Sequence, residues 1–360
     1  MSPKPVAGLE TLPRYVAGKH SLIGSKTPIV LSANENPRGP SPTAVTAIQD
    51  HAQQAHRYPE GDPEELKAAI IETYGLAGHQ GEVILGAGSD EILSLMAKGF
   101  ASAGKTVIMS QYGFLMYPIA AKAAGAEIHA VAETDYCADV DAILAAVDDD
   151  TCLIFLANPN NPTGSYLNAA EITRLHQALP EHVLLVLDCA YSEYVDSPDY
   201  NDHHDLIPSG RVVVTHTFSK IHGLAGLRLG WAFAPTEIAD IYERLRSPFN
   251  INALSITAGI AALKDRDYLQ ETLRINAEQR ARLQQSFAEL KINVLPSVGN
   301  FLLLDFGSTE AAAQTEKALL QQNIILRGMT GYGLPNCLRL SIGLPEENTA
   351  VLEVLKKVVA

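Results

Sequence analysis

Three short runs fix the class of fold open to this chain. CLIFLA (152–157), VLLVL (183–187) and VVVTH (212–216) are almost continuously apolar. Strands of that kind must be covered on both faces, as in a sheet sandwiched between helices. Candidate strands fall at 82–85, 106–110, 126–132, 152–157, 182–188, 211–218 and 229–234, with helical patterns at 89–100, 118–124 and 168–179 between them. Alternating strands and helices imply an α/β domain on a mostly parallel, seven-stranded sheet flanked by helices.

The pattern changes near Ser247. Two long helices are expected at 252–264 and 267–290, then NFLLLDF, a helix at 311–322, IILRG, CLRLSIG and a last helix from Glu346. This mix reads as a smaller α+β domain. The first forty residues, rich in Pro and Gly, read as an arm. The expected division is an arm at 1–40, a large domain at 41–250 and a small C-terminal domain at 251–360.

Charge narrows the partners. Lys plus Arg number 27 against 41 Asp plus Glu, a net −14, which repels nucleic-acid backbones and anionic membranes. The opening MSPKPVAGLE has no apolar signal core, and no run approaches the roughly 18 apolar residues of a membrane span. Cys137, Cys152, Cys189 and Cys337 form no C-x-x-C pair and no finger spacing, so a reducing cytoplasm is the expected home. Small-molecule partners fit such a chain better than nucleic acid or membrane.

Open parallel sheets bind ligands beyond the carboxyl ends of their strands. There this chain places Asn158-Pro-Asn-Asn161-Pro-Thr-Gly164, then Asp188-Cys-Ala-Tyr191, then Ser219-Lys220 with Arg228 eight residues on. Pyridoxal phosphate uses these groups together. A lysine holds its aldehyde as a Schiff base, and an anion keeps its pyridine nitrogen protonated. An amide and a phenol satisfy its ring oxygen. GAGSDEIL offers a phosphate the start of a helix, with Ser89 and Asp90 as its first residues.

Two motifs compete with this reading. Gly99 to Thr106 spells a nucleotide-binding phosphate loop, but a helix precedes it and a strand follows, the reverse of the working order. Asp202-His203-His204-Asp205 invites a metal, yet lacks a third ligand at regular spacing and reads as a polar, solvated loop. No metal is expected.

The chain resembles histidinol-phosphate aminotransferases, within the fold-type I pyridoxal-phosphate aminotransferases. The likeness is carried by LPRYVAGK, NENPRGPSP, RYPEGDPEELKAAI, GAGSDEIL, QYGFLMYPIAA, NPNNPTG, DCAYSEYV, TFSKIHGLAGLRLGW, SPFNIN, NFLLLDF and CLRLSIG. It implies that Lys220 binds the cofactor aldehyde and shuttles the proton. Asp188 would keep the pyridine nitrogen protonated, Tyr191 and Asn161 would bind the ring oxygen, and Tyr112 would stack on the ring. Ala87, Gly88, Ser89 and Asp90, with Thr217, Ser219 and Arg228, would surround the phosphate. Tyr58 resembles the tyrosine that this family lends to the neighbouring subunit's cofactor, which implies a homodimer with shared active sites. Asn34 and Arg339 match positions that hold the substrate's anionic end, and Tyr15 and Arg327 look like companions that grip a phosphate.

Departures are mild: Cys189 stands where many relatives have Glu, Ala87 replaces a frequent Asn, and His222 follows the lysine by two. The implied reaction exchanges histidinol phosphate and 2-oxoglutarate for imidazole-acetol phosphate and glutamate, a step of histidine biosynthesis. The alternative is an aromatic-amino-acid transaminase acting on phenylalanine or tyrosine. A phosphothreonine-type decarboxylase is a third reading. A non-catalytic sensor domain would need a basic DNA-binding module, against which the charge and the intact Lys220 speak.

Overall fold

The computed structural model describes residues 27–359 and, before them, residues 3, 5, 8–12, 14 and 18; Tyr15 lies outside the described residues. In chain order the elements begin with β1 (Ile29–Val30), α1 (Pro42–His51), α2 (Glu64–Thr73), β2 (Glu82–Gly86), α3 (Ser89–Phe100) and β3 (Thr106–Ser110). There follow α4 (Met116–Ala123), β4 (Glu127–Val131), α5 (Val140–Ala146), β5 (Thr151–Ala157), α6 (Ala169–Ala178), β6 (Leu184–Asp188) and β7 (Val212–Thr217). Next come β8 (Gly230–Ala234), α7 (Thr236–Leu245), α8 (Ala253–Lys264), α9 (Arg266–Glu289), β9 (Asn293–Val294) and β10 (Phe301–Asp305). The chain closes with α10 (Thr309–Gln321), β11 (Ile324–Ile325), β12 (Arg327–Gly328), β13 (Cys337–Ser341) and α11 (Pro345–Val359).

The large sheet has seven strands in the order β2-β8-β7-β6-β5-β3-β4. Only β8 is reversed, running antiparallel to both β2 and β7. Its central strands are buried on both faces, as their composition requires. Leu185 and Leu187 join Val212, Val214 and residues of α1, α2 and α6 on one side. Leu184 and Val186 join Val213, Phe155 and residues of α3, α4 and α7 on the other. Parallel strands sandwiched in this way point their carboxyl ends one way, which is how 158–164, Asp188 and Ser219-Lys220 come together.

The second sheet, β12-β13-β10-β9, is antiparallel. Leu302, Leu304, Leu338 and Leu340 pack there against Phe287 of α9, Leu319 of α10 and Leu355 of α11. Among the described residues no helix is long and apolar enough to cross a membrane.

Three expectations need correction. The boundary at 250 falls one helix early, because α8 puts Ile256, Ala258, Ala262 and Leu263 into the large-domain core. The arm does not run to residue 40 as a separate piece. Ile29 and Val30 pair in parallel with Ile324 and Ile325, and Leu31, Ser32, Asn34 and Asn36 are buried. Nor is 202–205 a solvated loop: His203 and His204 are buried, with His204 Nε2 3.2 Å from His216 Nε2 and its ring against Trp231. Among the described residues no group of three or more His, Cys, Asp or Glu could hold a metal. The phosphate-loop spelling lies across the end of α3 and the start of β3, and Lys105 Nζ pairs with Asp150 at 3.0 Å.

Candidate active site

One cleft gathers Asn34, Ser89, Asp90, Asn161, Asp188, Tyr191, Thr217, Ser219, Lys220, Arg228, Arg327 and Arg339. Its floor is the carboxyl edge of the large sheet. Asp188, the last residue of β6, is 5% exposed. Its Oδ2 accepts the Tyr117 hydroxyl at 2.9 Å and its Oδ1 the Thr215 hydroxyl at 3.2 Å. Burial pushes this carboxyl up to about 6 against those two hydrogen bonds.

Lys220 follows β7, and its Nζ donates to Ala33 O at 3.0 Å. Burial first, and the Arg339 guanidinium second, bring the amine down to about 8. An amine so placed loses its proton far more readily than a surface lysine.

The cleft's other wall comes from the four-stranded sheet and the segment before α1. Arg339 on β13 donates through Nη1 to Asn161 Oδ1 and through Nη2 to Ser32 O at 2.9 Å. Asn34 Nδ2 donates to Tyr191 Oη at 3.0 Å, while Asn34 Oδ1 accepts the Ser341 hydroxyl at 3.1 Å. Burial pushes the Tyr191 phenol up to about 12, with Arg339 opposing.

At the opposite end, Ser89 and Asp90 open α3 and face the cleft. Arg228 reaches them from the far side, its Nη2 3.1 Å from Asp90 Oδ2 and its Nη1 3.3 Å from Ser219 Oγ. The backbone here is packed too tightly for side chains. At Gly88 (φ +82°) a Cβ would strike the Arg228 guanidinium, and at Gly230 it would strike Ser89 N and the Gly88 backbone. The result is a cradle in which the uncapped first turn of α3, at Ser89 and Asp90, and the Ser89 and Ser219 hydroxyls stand beside the Arg228 guanidinium, itself paired with Asp90, a set that suits a phosphate.

Not every expected residue reaches the cleft. Ala87 N donates to Glu91 Oε2 at 2.7 Å and Gly88 N to Gly86 O at 2.8 Å, so those two N–H groups hold the turn together. Tyr112 stacks on Tyr136 with centroids 5.6 Å apart, and it is Phe114 that lines the cleft. Tyr58 is 82% exposed and stacks on Phe249 at 4.7 Å.

Residues 26–355 match the family model for aminotransferase class I and II. The chain belongs to the aminotransferase class I and II family. It is 44% identical to the histidinol-phosphate aminotransferase of Maricaulis maris over 99% of this chain and 98% of that protein. It is equally 44% identical to that of Rhodospirillum centenum, covering 98% of each. The structure of a Sinorhizobium meliloti histidinol-phosphate aminotransferase, solved with pyridoxal-5'-phosphate, superposes with a TM-score of 0.86 at 30% identity, covering 92% of this chain and 90% of that one. Aspartate aminotransferase from Thermus thermophilus shares the fold, with a TM-score of 0.81 at 19% identity.

For an aminotransferase of this family the cleft has the needed parts, and two observations fit them to the cofactor. A carboxylate is held buried against its own desolvation, the cost a cationic ring nitrogen would offset. The backbone beside the cradle leaves no room for a Cβ at Gly230, and Gly88 holds a left-handed φ of +82°. Sequence reasoning missed Tyr117, Thr215, Glu91 and Asn250. Glu91 was legible as the third residue of a helix that could reach back to Ala87. Asn250, whose Nδ2 donates to Glu91 Oε2 at 2.7 Å, lies 159 residues away and was not.

Proposed function

We propose that this aminotransferase exchanges the amino group of histidinol phosphate with 2-oxoglutarate, giving imidazole-acetol phosphate and glutamate in histidine biosynthesis, with pyridoxal phosphate as cofactor. The observation that carries the reading is that Lys220, Asp188, Tyr191, Asn161 and Arg339 share one cleft. When bound, pyridoxal phosphate supplies an aldehyde for amines and an electron-accepting ring.

The chain's residues do the rest. The backbone at the start of α3, at Ser89 and Asp90, with Thr217, Ser219 and Arg228, would hold the phosphate. Asp188 keeps the ring nitrogen protonated, and Tyr191 with Asn161 binds the ring oxygen. Lys220 would bind the cofactor aldehyde and, as a neutral amine, would hold and move the proton at the substrate Cα, a role favoured by the burial and the Arg339 charge that lower its basicity. Glutamate presents an α-carboxylate, whereas histidinol phosphate presents a phosphate monoester, so one receptor must serve both. Arg339 has the paired donors that suit either oxyanion. Arg327, on the same cleft, is placed to add a donor for the more highly charged phosphate.

Tyr58 and Phe249 form an exposed aromatic pair. We assign them to a contact with a second copy, where Tyr58 reaches the neighbouring cofactor phosphate in a homodimer. The four cysteines carry free thiols, which supports a reducing, cytoplasmic setting.

The test is a pair of variants. Arg339→Lys should weaken glutamate and histidinol phosphate alike, since an ammonium cannot make paired bonds. Arg327→Gln should penalise histidinol phosphate by roughly 1.5–3 kcal/mol, the range of one charge-assisted bond, and spare phenylalanine. Should Arg327→Gln leave histidinol phosphate untouched, the phosphate reading falls.

A further inference from the structure

A buried carboxylate is useful to a ring nitrogen only if it stays ionised and keeps its aim. At Asp188 burial opposes the first, and a single free torsion could spoil the second. The structure answers both with one side chain. Tyr117 is fully buried on α4, and its hydroxyl donates to Asp188 Oδ2 at 2.9 Å. Its ring cannot swing. It stacks on Phe155, with centroids 4.8 Å apart and planes 12° apart, and meets Phe114 edge-on at 5.8 Å. Phe155 belongs to β5, the strand beside β6, so the ring is referenced to the same sheet that carries Asp188.

We propose that Tyr117 is a positioning residue for the cofactor: its hydroxyl holds Asp188 as a carboxylate aimed at the pyridine nitrogen of pyridoxal phosphate. The inference rests on the function proposed above. A tyrosine O–H donates more strongly to an ionised carboxylate than to a neutral carboxyl, so this bond favours the ionised form of Asp188. The Thr215 hydroxyl restrains Oδ1 from the next strand, at 3.2 Å. Asp90, across the cleft, works the other way by adding like charge. A phenylalanine would fill the Tyr117 space equally well, which makes the hydroxyl, rather than the ring, the informative atom.

The experiment compares wild type with Tyr117→Phe, both freed of cofactor and then titrated, with binding followed by intrinsic fluorescence. The first probe is pyridoxal phosphate, and the second is its analogue with CH in place of the ring nitrogen. A melting curve of each cofactor-free protein confirms the fold. The expected result is a dissociation constant about tenfold higher for Tyr117→Phe with pyridoxal phosphate, about 1.4 kcal/mol, and no difference with the analogue. In the transamination assay kcat should fall while KM for glutamate stays. An unchanged dissociation constant overturns the proposal, and so does an equal loss with both probes, which would mark Tyr117 as packing alone. Failure of wild type to bind pyridoxal phosphate at all would overturn the cofactor reading and this inference with it.

Discussion

The basicity of Lys220 is set by what surrounds it. Burial removes water from the ammonium, and Arg339 adds like charge, so the neutral amine fraction grows as pH rises through about 8 rather than through the ordinary lysine range. Capture of pyridoxal phosphate by the cofactor-free chain should therefore accelerate with a midpoint near pH 8, as read by stopped-flow absorbance. Lys220→Ala should abolish turnover and the borohydride-trapped adduct, and peptide mapping should find that adduct on Lys220 in wild type. An adduct on Lys105 would refute the assignment. Asp188→Asn keeps shape but removes charge. Cofactor binding should survive, while Cα deprotonation slows by about 10²-fold or more, roughly 3 kcal/mol of transition-state stabilisation. Near-normal half-reaction rates would mean that the ring nitrogen has another partner. At this scale the sequence revealed groups with distinctive chemistry, Lys220, Asp188 and Asn161, because their types and order are informative. It concealed Tyr117, since a tyrosine within an apolar stretch looks like core, and its acceptor lies 71 residues away.

Among the elements, the start of α3 and the start of β8 form one device. Gly230 begins β8 and pairs with Gly86 at the end of β2, while Ser89 opens α3 directly beside it. Gly230→Ala would push a methyl group against Ser89 N and the Gly88 backbone, neither of which can step aside. We expect a loss of about 1–3 kcal/mol from overpacking. Affinity for pyridoxal phosphate should drop further than affinity for pyridoxal, because the displaced atoms belong to the phosphate cradle. Equal losses for both ligands, measured by equilibrium titration, would contradict the cradle. Elements were the most legible level. The strands at 106–110 and the helix at 89–100 appear with those bounds, since burial on both faces and amphipathic spacing are local signals. Allegiance was less legible. The apolar residues of α8 announce a buried helix without saying which core receives it, and only α1 and α2 decide that. The two residues of β1 gave no strand signal at all, because their partner, β11, is nearly three hundred residues away.

For the molecule as a whole, the cleft is lined from the seven-stranded sheet, the four-stranded sheet and the segment before α1. The large sheet delivers Lys220, Asp188 and the cradle, the small sheet delivers Arg339 through β13, and the segment 31–36 closes the gap between them. Arg339 bonds to Asn161 and Ser32 at once, so the small domain is tied to the loop after β5 and to the arm's end by the same guanidinium that is proposed to meet substrate. Phe114, Arg327 and Tyr332 also line this cleft and are the residues proposed to set specificity. On that proposal an aromatic donor without phosphate gains nothing from Arg327, whereas histidinol phosphate does. The most direct measurement is kcat/KM for histidinol phosphate, phenylalanine and tyrosine as amino donors to 2-oxoglutarate. The account predicts that histidinol phosphate is used at least about tenfold more efficiently than either amino acid, the discrimination expected from one charge-assisted bond. Phenylalanine or tyrosine turned over as well as, or better than, histidinol phosphate would contradict it.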